Sequence, residues 1–305
     1  MSILYFLESI RFPGLNEFML LITRLGEETA FLVAALIVFW CVDKKRGYYL
    51  MSVGFLGTMA NQFVKLACRV PRPWVLDPDF TILEQAREAA TGYSFPSGHC
   101  QCAVGTFGAI AASGRNRMVR ILCIAVCILV PLSRMYVGVH TPADVLAGSA
   151  MALILVFGLK KPVLEQTEKS MGILIAMMLL VAAALFGYVT FWNFPADMDL
   201  ENLESGVKNA YTMLGCLAGI ALVYPLEKKH VNFSEAGSWY VQLLKILGGL
   251  VLVLAVKEGL RIPLEAIFRG HMAARAVRYC AIVLVAGVLW PMTFRHLVKI
   301  GVKAK

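Results

Sequence analysis

Long apolar segments alternate with short polar ones along most of this 305-residue chain. A helix needs about 20 mainly apolar residues to cross a bilayer, and nine segments approach that length. They lie near residues 25–42, 48–68, 98–113, 118–136, 141–159, 170–191, 207–226, 239–258 and 277–296. The pattern predicts an all-α fold, a polytopic transmembrane bundle of about nine helices. Residues 2–23 precede it as two short amphipathic helices in the membrane interface.

The composition agrees with a membrane location. Apolar residues make up 59% of the chain and charged residues 16%, whereas soluble globular proteins have roughly 45–50% and about 25%. This balance excludes a water-soluble globule, and the shortage of polar residues excludes a disordered chain. We assign the net charge of +9 to contact with the membrane surface and predict no nucleic-acid partner.

The eight cysteines fall almost entirely inside apolar segments, where the thiol behaves as a small hydrophobic group. Cys100 and Cys102 stand close to His99 and could suggest a metal site, but no second pair at ligand spacing follows them. We therefore predict structural cysteines and no bound metal.

Basic residues cluster in every second loop between the predicted spans. Because positive charge beside a membrane prefers the cytoplasm, these loops predict an outer amino terminus and a cytoplasmic carboxyl terminus in the plasma (inner) membrane. The loop between the sixth and seventh spans, on the predicted outer side, is acidic over residues 197–204. The bases that set the orientation are Lys44, Lys45, Arg46, Arg115, Arg117, Arg120, Lys160, Lys161, Lys169, Lys228, Lys229, Arg295, Lys299, Lys303 and Lys305.

One loop departs from this charge pattern. Residues 257–278 are predicted to lie on the outer side, yet they are basic. Two explanations stay open: the segment forms an amphipathic helix on the outer headgroups, or one of the last spans is misassigned. The basic residues in this loop are Lys257, Arg261, Arg269, Arg275 and Arg278.

Three groups of polar residues stand at the predicted ends of spans. Residues 65–73 end the second span, residues 93–99 open the third, and residues 133–144 close the fourth and open the fifth. An ionisable side chain at membrane depth costs roughly 2.5–3.5 kcal/mol on insertion scales, so each group is a functional candidate. The predicted topology places all three at the same outer face.

Each group also has a purely structural explanation. Lys65 and Arg72 can extend to the outer headgroups, as basic residues at span ends often do. Ser97 suits the N-cap of the third span, and Thr141 with Asp144 suits a capping box at the fifth. A lone histidine at a headgroup boundary is usually a packing residue. The occurrence of all these features together favours a functional site.

The combined residues suit a phosphate group. Lys65, Arg72 and Arg134 supply three cations, and guanidinium groups match phosphoryl oxygens in geometry. The amides of Ser97 and Gly98 begin a helix, where unpaired N–H groups and the positive end of the helix dipole attract an anion. These five residues are the predicted phosphate-binding set.

Two histidines complete the candidate site. His99 and His140 can divide attack on phosphorus and protonation of the leaving oxygen between them. Asp144 follows His140 by four residues, so it can accept the ring proton that faces away from the phosphate and hold the tautomer. The predicted catalytic residues are His140, His99 and Asp144.

At these residues the sequence resembles the type 2 phosphatidic acid phosphatase family, which shares its site with the vanadium haloperoxidases. The family motifs are K-x6-R-P, P-S-G-H and S-R-x5-H-x3-D, and residues 65–73, 96–99 and 133–144 match them without departure. The resemblance implies a six-helix phosphatase core, to which this chain adds about three C-terminal spans. The interfacial segment, the core and the added helices are then residues 1–24, 25–191 and 192–305.

The resemblance also implies an activity. The family hydrolyses a phosphate ester or anhydride without a metal or cofactor, so a lipid phosphate monoester or pyrophosphate is the expected substrate, bound at the extracytoplasmic face. His140 would become phosphorylated, His99 would protonate the leaving group and later activate water, and Asp144 would steady His140. A weaker resemblance, at residues 25–28, at Trp40 with Asp43 and at residues 93–96, points to the sphingosine and long-chain-base phosphate phosphatase branch.

Two other functions stay open at this stage. A phosphohistidine can pass its phosphoryl group to an alcohol instead of water, which would make the chain a lipid phosphotransferase. A non-catalytic phospholipid-binding or transport protein would use the same cations for recognition alone, but it has no need of two histidines and a carboxylate. The sequence does not indicate which lipid is bound or the oligomeric state.

Overall fold

The computed structural model describes residues 1–87, 90, 92–165, 167–195 and 198–303, with side chains up to residue 298. These residues form helices and no β-strand, which confirms the all-α fold. Asp197 and Lys305 of the charge pattern lie outside the described residues, as do the side chains of Lys299 and Lys303. The helices are α1 (Ser2–Ser9), α2 (Pro13–Arg24), α3 (Glu28–Cys41), α4 (Lys44–Cys68), α5 (Pro73–Leu76), α6 (Gly98–Ser113), α7 (Arg117–Tyr136), α8 (Pro142–Leu164), α9 (Glu168–Phe191), α10 (Leu200–Leu226), α11 (Trp239–Gly259), α12 (Arg261–Ile267), α13 (Ala273–Leu284) and α14 (Phe294–Lys303).

Every predicted span falls on a helix, but the helices differ in their capacity to cross a membrane. In the described part of the chain, six helical stretches are long and apolar enough, which makes this an integral membrane protein. The first three predicted spans do not meet that criterion. α3 has 14 residues and α6 has 16, while α4 has 25 but includes Asn61 and Gln62, which lower its hydropathy. The six stretches correspond to α7, α8, α9, α10, α11 and α13.

The two short helices predicted before the first span are present as α1 and α2. Pro13 occupies the first turn of α2, where its missing N–H leaves no hydrogen bond unmade. Arg11 Nε donates to the carbonyl of Tyr136 at 3.0 Å, and the Tyr136 hydroxyl donates to Asn16 Oδ1 at 2.7 Å. These bonds attach the segment to the end of α7. Its interfacial location stays a prediction.

The described chain forms two compact units. Unit 1 contains all eight candidate site residues, and its α6 packs against both α7 and α8. In this unit the Tyr49 hydroxyl donates to the carbonyl of Val156 at 2.5 Å, which ties α4 to α8. The proposed division of the chain at residues 24 and 191 stays a prediction. Unit 1 consists of Met1–Ala34, Tyr49–Leu164 and Phe194–Gly206, and unit 2 of Ala35–Tyr48, Glu165–Asn193 and Val207–Lys305.

In unit 2, α10 packs closely against α13 through two glycines. A Cβ on Gly215 would lie 2.1 Å from the carbonyl oxygen of Ala276, and a Cβ on Gly219 would lie 2.7 Å from Cβ of Val283. Small residues four apart let membrane helices approach to backbone contact. This pair of glycines therefore fixes the distance between α10 and α13.

The basic segment 257–278 is largely helical. α11 ends at Gly259, α12 follows directly, and α13 begins at Ala273. The stretches 239–267 and 273–298 both meet the length and composition of membrane spans, which supports the two spans that flank the segment. The location of the segment at outer headgroups stays a prediction.

Candidate active site

The three polar groups of the sequence meet at one buried cluster in unit 1. Lys65 comes from the last turn of α4, and Arg134 from the last turn of α7. His140 lies in the short connection between α7 and α8, and Asp144 lies in the first turn of α8. The side chains that are at most 6% exposed are Arg72, Ser94, Ser97, Arg134, His140 and Asp144. Such burial of charge rejects the explanation that Arg72 merely extends to headgroups.

The orientation of the His140 ring follows from its neighbours. Arg72 Nη1 lies 3.0 Å from His140 Nε2, and a guanidinium group can only donate. Nε2 therefore accepts that hydrogen bond, and Nδ1 of the neutral ring carries the proton. Nδ1 lies 3.5 Å from Asp144 Oδ2. The expected pairing is thus present, and the lone pair on Nε2 points away from the carboxylate.

Burial is the main reason why the pKa of His140 lies well below its ordinary value. The positive charges of Arg72, Arg134 and Lys65, and then His99, lower this pKa further. At neutral pH His140 is an uncharged imidazole, which is the form that can act as a nucleophile.

Ser94 is the residue that sequence reasoning missed. Its hydroxyl donates to Asp144 Oδ2 at 2.6 Å and lies 3.4 Å from His140 Nδ1. Because Nδ1 carries the proton, Ser94 Oγ accepts from it, and a chain runs from the imidazole through Ser94 to the carboxylate. Ser94 stands in the second polar group, but nothing in its spacing distinguishes it from an ordinary serine before a helix.

Asp144 also has the structural role that the sequence predicted. The amide of Thr141 donates to Asp144 Oδ2 at 2.7 Å, and the amide of Asp144 donates to Thr141 Oγ1 at 3.3 Å, which confirms the capping box. The carbonyl of Asp144 accepts from the amide of Ser97 at 3.0 Å. Asp144 therefore holds three features in place: the start of α8, the residue before α6, and the hydrogen bonds that run from His140 through Ser94.

The start of α6 differs in part from the prediction. Ser97 is its N-cap, since its hydroxyl accepts from the amide of Cys100 at 3.4 Å. The Ser97 amide, however, donates to Asp144 and so is not free to bind an anion. Gly98 opens the helix, where the first amides have no intrahelical acceptor. The sequence could not show this, because the acceptor comes from another helix.

Arg134 is the most completely buried of the three cations. Its Nη1 donates to Thr23 Oγ1 at 2.8 Å, while its Nε and Nη2 are buried and make no hydrogen bond within the described residues. Nε2 of His99 is also buried without a hydrogen bond there. Unsatisfied buried donors are costly, so these atoms fit a site that an oxyanion completes.

Lys65 and Arg72 are held by backbone carbonyls. Lys65 Nζ donates to Tyr93 at 2.6 Å, and Arg72 Nε and Nη1 donate to Gly92 and Val139 at 2.9 and 3.0 Å. These bonds link the first polar group to the other two. They orient both cations at the cluster.

Gly148 allows α8 to approach the residue before α6. A Cβ on Gly148 would lie 2.4 Å from the carbonyl oxygen of Ser97, and backbone atoms cannot yield as a flexible side chain can. We expect Gly148→Ala to lower the thermal unfolding midpoint and to reduce phosphate release by about tenfold or more, because a small displacement misplaces the site. Differential scanning fluorimetry and a phosphate assay measure the two effects.

Gly158 provides the matched control on the same helix, since a Cβ there would meet nothing within 4 Å. Gly158→Ala should leave activity unchanged and, through helix propensity, leave the midpoint equal or slightly higher. Equal behaviour of the two variants would show that the contact between Gly148 and Ser97 does not position the site.

The cysteines make no metal cluster in the described residues. Within them, no group of three or more His, Cys, Asp or Glu side chains could hold a metal ion. All eight cysteines are free thiols, and Cys102 Sγ donates to the carbonyl of Glu27 at 3.5 Å. Cys102 therefore has a local hydrogen-bonding partner in unit 1.

These features define a membrane-embedded helical protein whose buried site joins two imidazoles, a carboxylate and three cations. Residues 46–168 match the PAP2 superfamily. Residues 211–303 match the PAP2 superfamily phosphatase, transmembrane extension. The chain belongs to the PAP2 superfamily of phosphatases, and the second match confirms that further transmembrane helices follow the core.

Three relatives show the same class of protein. Phosphatidylglycerophosphatase B of Bacillus subtilis (strain 168) is 32% identical over 163 residues, which are 50% of this chain and 76% of that protein. Undecaprenyl-diphosphatase BcrC of the same strain is 33% identical over 119 residues, 38% of this chain and 56% of that protein. The probable sphingosine-1-phosphate phosphatase of Dictyostelium discoideum is 29% identical over 160 residues, 48% of this chain and 38% of that protein. No solved structure matches the chain.

Proposed function

We propose that this protein is a metal-independent phosphatase that hydrolyses a lipid phosphate monoester or pyrophosphate through a phosphohistidine at His140. The observation that carries the proposal is the state of His140: it is neutral, its Nδ1 proton faces Ser94 and Asp144, and its Nε2 lone pair faces Arg72. The unsatisfied donors of Arg134 support it, because a phosphoryl group would accept from them.

The residues suggest a two-step reaction. Nε2 of His140 attacks phosphorus while the bond to the leaving oxygen breaks. His99, whose protonated form the negative charge of the bound phosphoryl group would favour, gives its proton to that oxygen. Neutral His99 then takes a proton from water, the water oxygen attacks phosphorus, and the P–N bond breaks to release phosphate. Arg72 Nη1 donates a hydrogen bond to His140 Nε2 in this structure, and it would donate to a phosphoryl oxygen instead when substrate is bound.

The cations would stabilise the transition state. Negative charge spreads over the three equatorial oxygens of a phosphoryl group in transfer, and Lys65, Arg72 and Arg134 would bind these oxygens together with Gly98 at the start of α6. Such preorganised positive charge in a buried site is worth more than in water. The three cations would supply the charge stabilisation that other phosphatases obtain from metal ions.

The substrate class follows from the relatives and from the membrane. Their names specify phosphatidylglycerophosphate, undecaprenyl diphosphate and sphingosine-1-phosphate, which share a phosphoryl group on a lipid. We extend that shared class to this chain. The basic loops support a site at the extracytoplasmic face of the plasma membrane, with the amino terminus outside and the carboxyl terminus in the cytoplasm.

Phosphate release by the purified protein in EDTA tests the function. The panel contains phosphatidate, phosphatidylglycerophosphate, undecaprenyl diphosphate and sphingosine-1-phosphate, with glucose-6-phosphate as the soluble control. We expect release from at least one lipid, inhibition by vanadate, and little release from the sugar phosphate. Absence of release from every lipid would contradict a phosphatase. Appearance of a phosphorylated alcohol when a lipid alcohol is added would identify a phosphotransferase instead.

Ser94→Ala tests the chain between His140 and Asp144. Loss of the hydroxyl removes a 2.6 Å hydrogen bond to Asp144 and the contact with Nδ1. We expect kcat to fall by about 10- to 100-fold with little change in KM, since Ser94 positions His140 and does not touch the phosphate. Ser94→Thr should restore part of the activity.

Ser113→Ala is the matched control, because the Ser113 hydroxyl donates within its own helix, to the carbonyl of Ala109. It should keep full activity. A Ser94→Ala variant with the kcat of the parent protein would remove Ser94 from the proposed mechanism.

A further inference from the structure

Unit 2 contains a cavity of about 660 Å³. It lies where α10 and the first turns of α13 meet the end of α11 and the short helix α12. Cavities of 300–1,000 Å³ commonly hold small ligands. The titratable side chains that line it include Lys208, Lys257, Arg261, His271, Arg275 and Arg278.

The cavity carries an excess of positive charge. Its two acidic residues each lie beside a base. Glu258 Oε1 is 3.9 Å from Lys257 Nζ, and Glu265 Oε1 is 3.4 Å from Arg261 Nε. Each carboxylate therefore offsets one cation on its own segment. The two arginines of α13 in the lining, Arg275 and Arg278, add further positive charge.

Two of these cations, Arg275 and Arg278, lie beside the ring of Tyr279. Arg275 Nε donates to Thr212 Oγ1 at 2.6 Å. The Cζ atoms of Arg275 and Arg278 lie 5.3 and 5.7 Å from the centre of the Tyr279 ring, within cation–π distance. Nε of Arg278 is buried and has no hydrogen-bond partner in the described part of the chain. The pair thus keeps a buried donor unsatisfied.

The helices that carry these groups are held rigidly. Lys208 and Thr212 stand on α10, and both arginines stand on α13, which contacts α10 through Gly215 and Ala276. A preformed arrangement of cations loses less freedom when it binds a ligand than a flexible one does. The contact between α10 and α13 therefore sets the distance between Lys208 on one helix and the two arginines on the other.

We propose that this cavity binds a phosphate-bearing anion. Guanidinium groups match the oxygens of phosphate in a forked geometry, and an ammonium adds a point charge. The shared chemistry is the phosphate oxyanion, which inorganic phosphate or the headgroup of an anionic phospholipid would supply. The proposal goes beyond the phosphatase reaction and does not rest on it, because no residue of the cavity takes part in that reaction.

Hydrogen exchange read locally at residues 257–279 tests the proposal. The protein is placed in phosphatidylcholine nanodiscs and titrated with inorganic phosphate, and in a second arm the discs contain phosphatidylglycerol. We expect at least one probe to slow exchange in this segment. Slowing by inorganic phosphate identifies a site for the free anion, and slowing by phosphatidylglycerol alone identifies a site for a lipid headgroup.

The double variant Arg275→Gln/Arg278→Gln should need at least about tenfold more of the same probe for half-maximal protection. Lys208→Gln changes a residue on another helix and should raise the probe concentration for half-maximal protection by a smaller factor. This variant tests the cavity even if the double variant does not fold. Arg269→Gln is the control, because Arg269 belongs to the same basic segment but does not line the cavity.

Protection that is equal in the parent protein and in both cavity variants would overturn the proposal, as would the absence of protection by either probe. Each readout is independent of lipid phosphate hydrolysis. A failure of this proposal is therefore distinguishable from a failure of the proposed function.

Discussion

Replacing His140 by alanine is expected to lower phosphate release from every lipid phosphate substrate by about three orders of magnitude or more. The proposed nucleophile is the Nε2 atom of His140, because Asp144 and Ser94 face Nδ1 and leave the Nε2 lone pair toward Arg72, which has only donors. The measurement is kcat from initial rates of phosphate release in detergent micelles, with size-exclusion chromatography to check folding.

His230→Ala is the matched control, since His230 is exposed and lies outside the three polar groups. It should keep the activity of the parent protein. A His140→Ala variant that retains more than about a tenth of the parent kcat would contradict the role of His140 as nucleophile, because loss of a nucleophile costs far more than that.

Arg134→Met is expected to separate activity from stability. The variant removes two buried donors that have no partner within the described residues and would bind a phosphoryl group, so phosphate release should fall by about 100- to 1,000-fold. It also removes a fully buried charge that forms no ion pair with a carboxylate in the part of the chain that the structure describes, which is unfavourable in the folded protein without ligand. The thermal unfolding midpoint should therefore stay the same or rise, as measured by scanning fluorimetry.

Arg120→Met on the same helix is the control. Arg120 is exposed and its Nη2 donates to the nearby carbonyl of Gly114 at 3.0 Å, so its loss should change activity by less than about twofold. A marked drop in the midpoint of Arg134→Met, together with loss of activity, would instead assign Arg134 to holding unit 1 together through Thr23.

The sequence predicted the helices well, because apolar periodicity and length depend on neighbouring residues alone. All nine predicted spans are helical, yet α3 and α6 are too short to span a membrane alone and α4 is too polar. The polar residues that lower the hydropathy of α4 include Asn61, whose Nδ2 donates to the carbonyl of Pro96 beside the site. A helix that contributes polar residues to a site is therefore less apolar than an ordinary membrane span.

The candidate site was predictable in its members but not in its connections. Spaced motifs brought His140, Asp144 and the three cations to one cluster, and the structure places them together. The interposition of Ser94 and the use of the Ser97 amide by Asp144 depend on how α6 and α8 pack. Thr23, which holds Arg134, comes from a segment that carries no motif at all. Long-range packing of this kind leaves no trace in local spacing.

The cavity of unit 2 shows the same limit. The basic residues of segment 257–278 were visible in the sequence as an exception to the charge pattern. Their assembly with Lys208 around a cavity required the close approach of α10 and α13 at Gly215. The basic residues that departed from the charge pattern thus contribute to the proposed anion-binding cavity.

The covalent intermediate tests the central claim most directly. The protein is mixed with a ³²P-labelled lipid phosphate, quenched in alkali within milliseconds, digested and analysed by mass spectrometry. We predict an alkali-stable, acid-labile phosphoryl group on the peptide that contains His140. The label should be absent from the His140→Ala variant. It should accumulate in the His99→Ala variant when the substrate has a leaving group that needs no proton. Rapid hydrolysis with no label on His140, or equal labelling of the His140→Ala variant, would contradict the phosphohistidine mechanism.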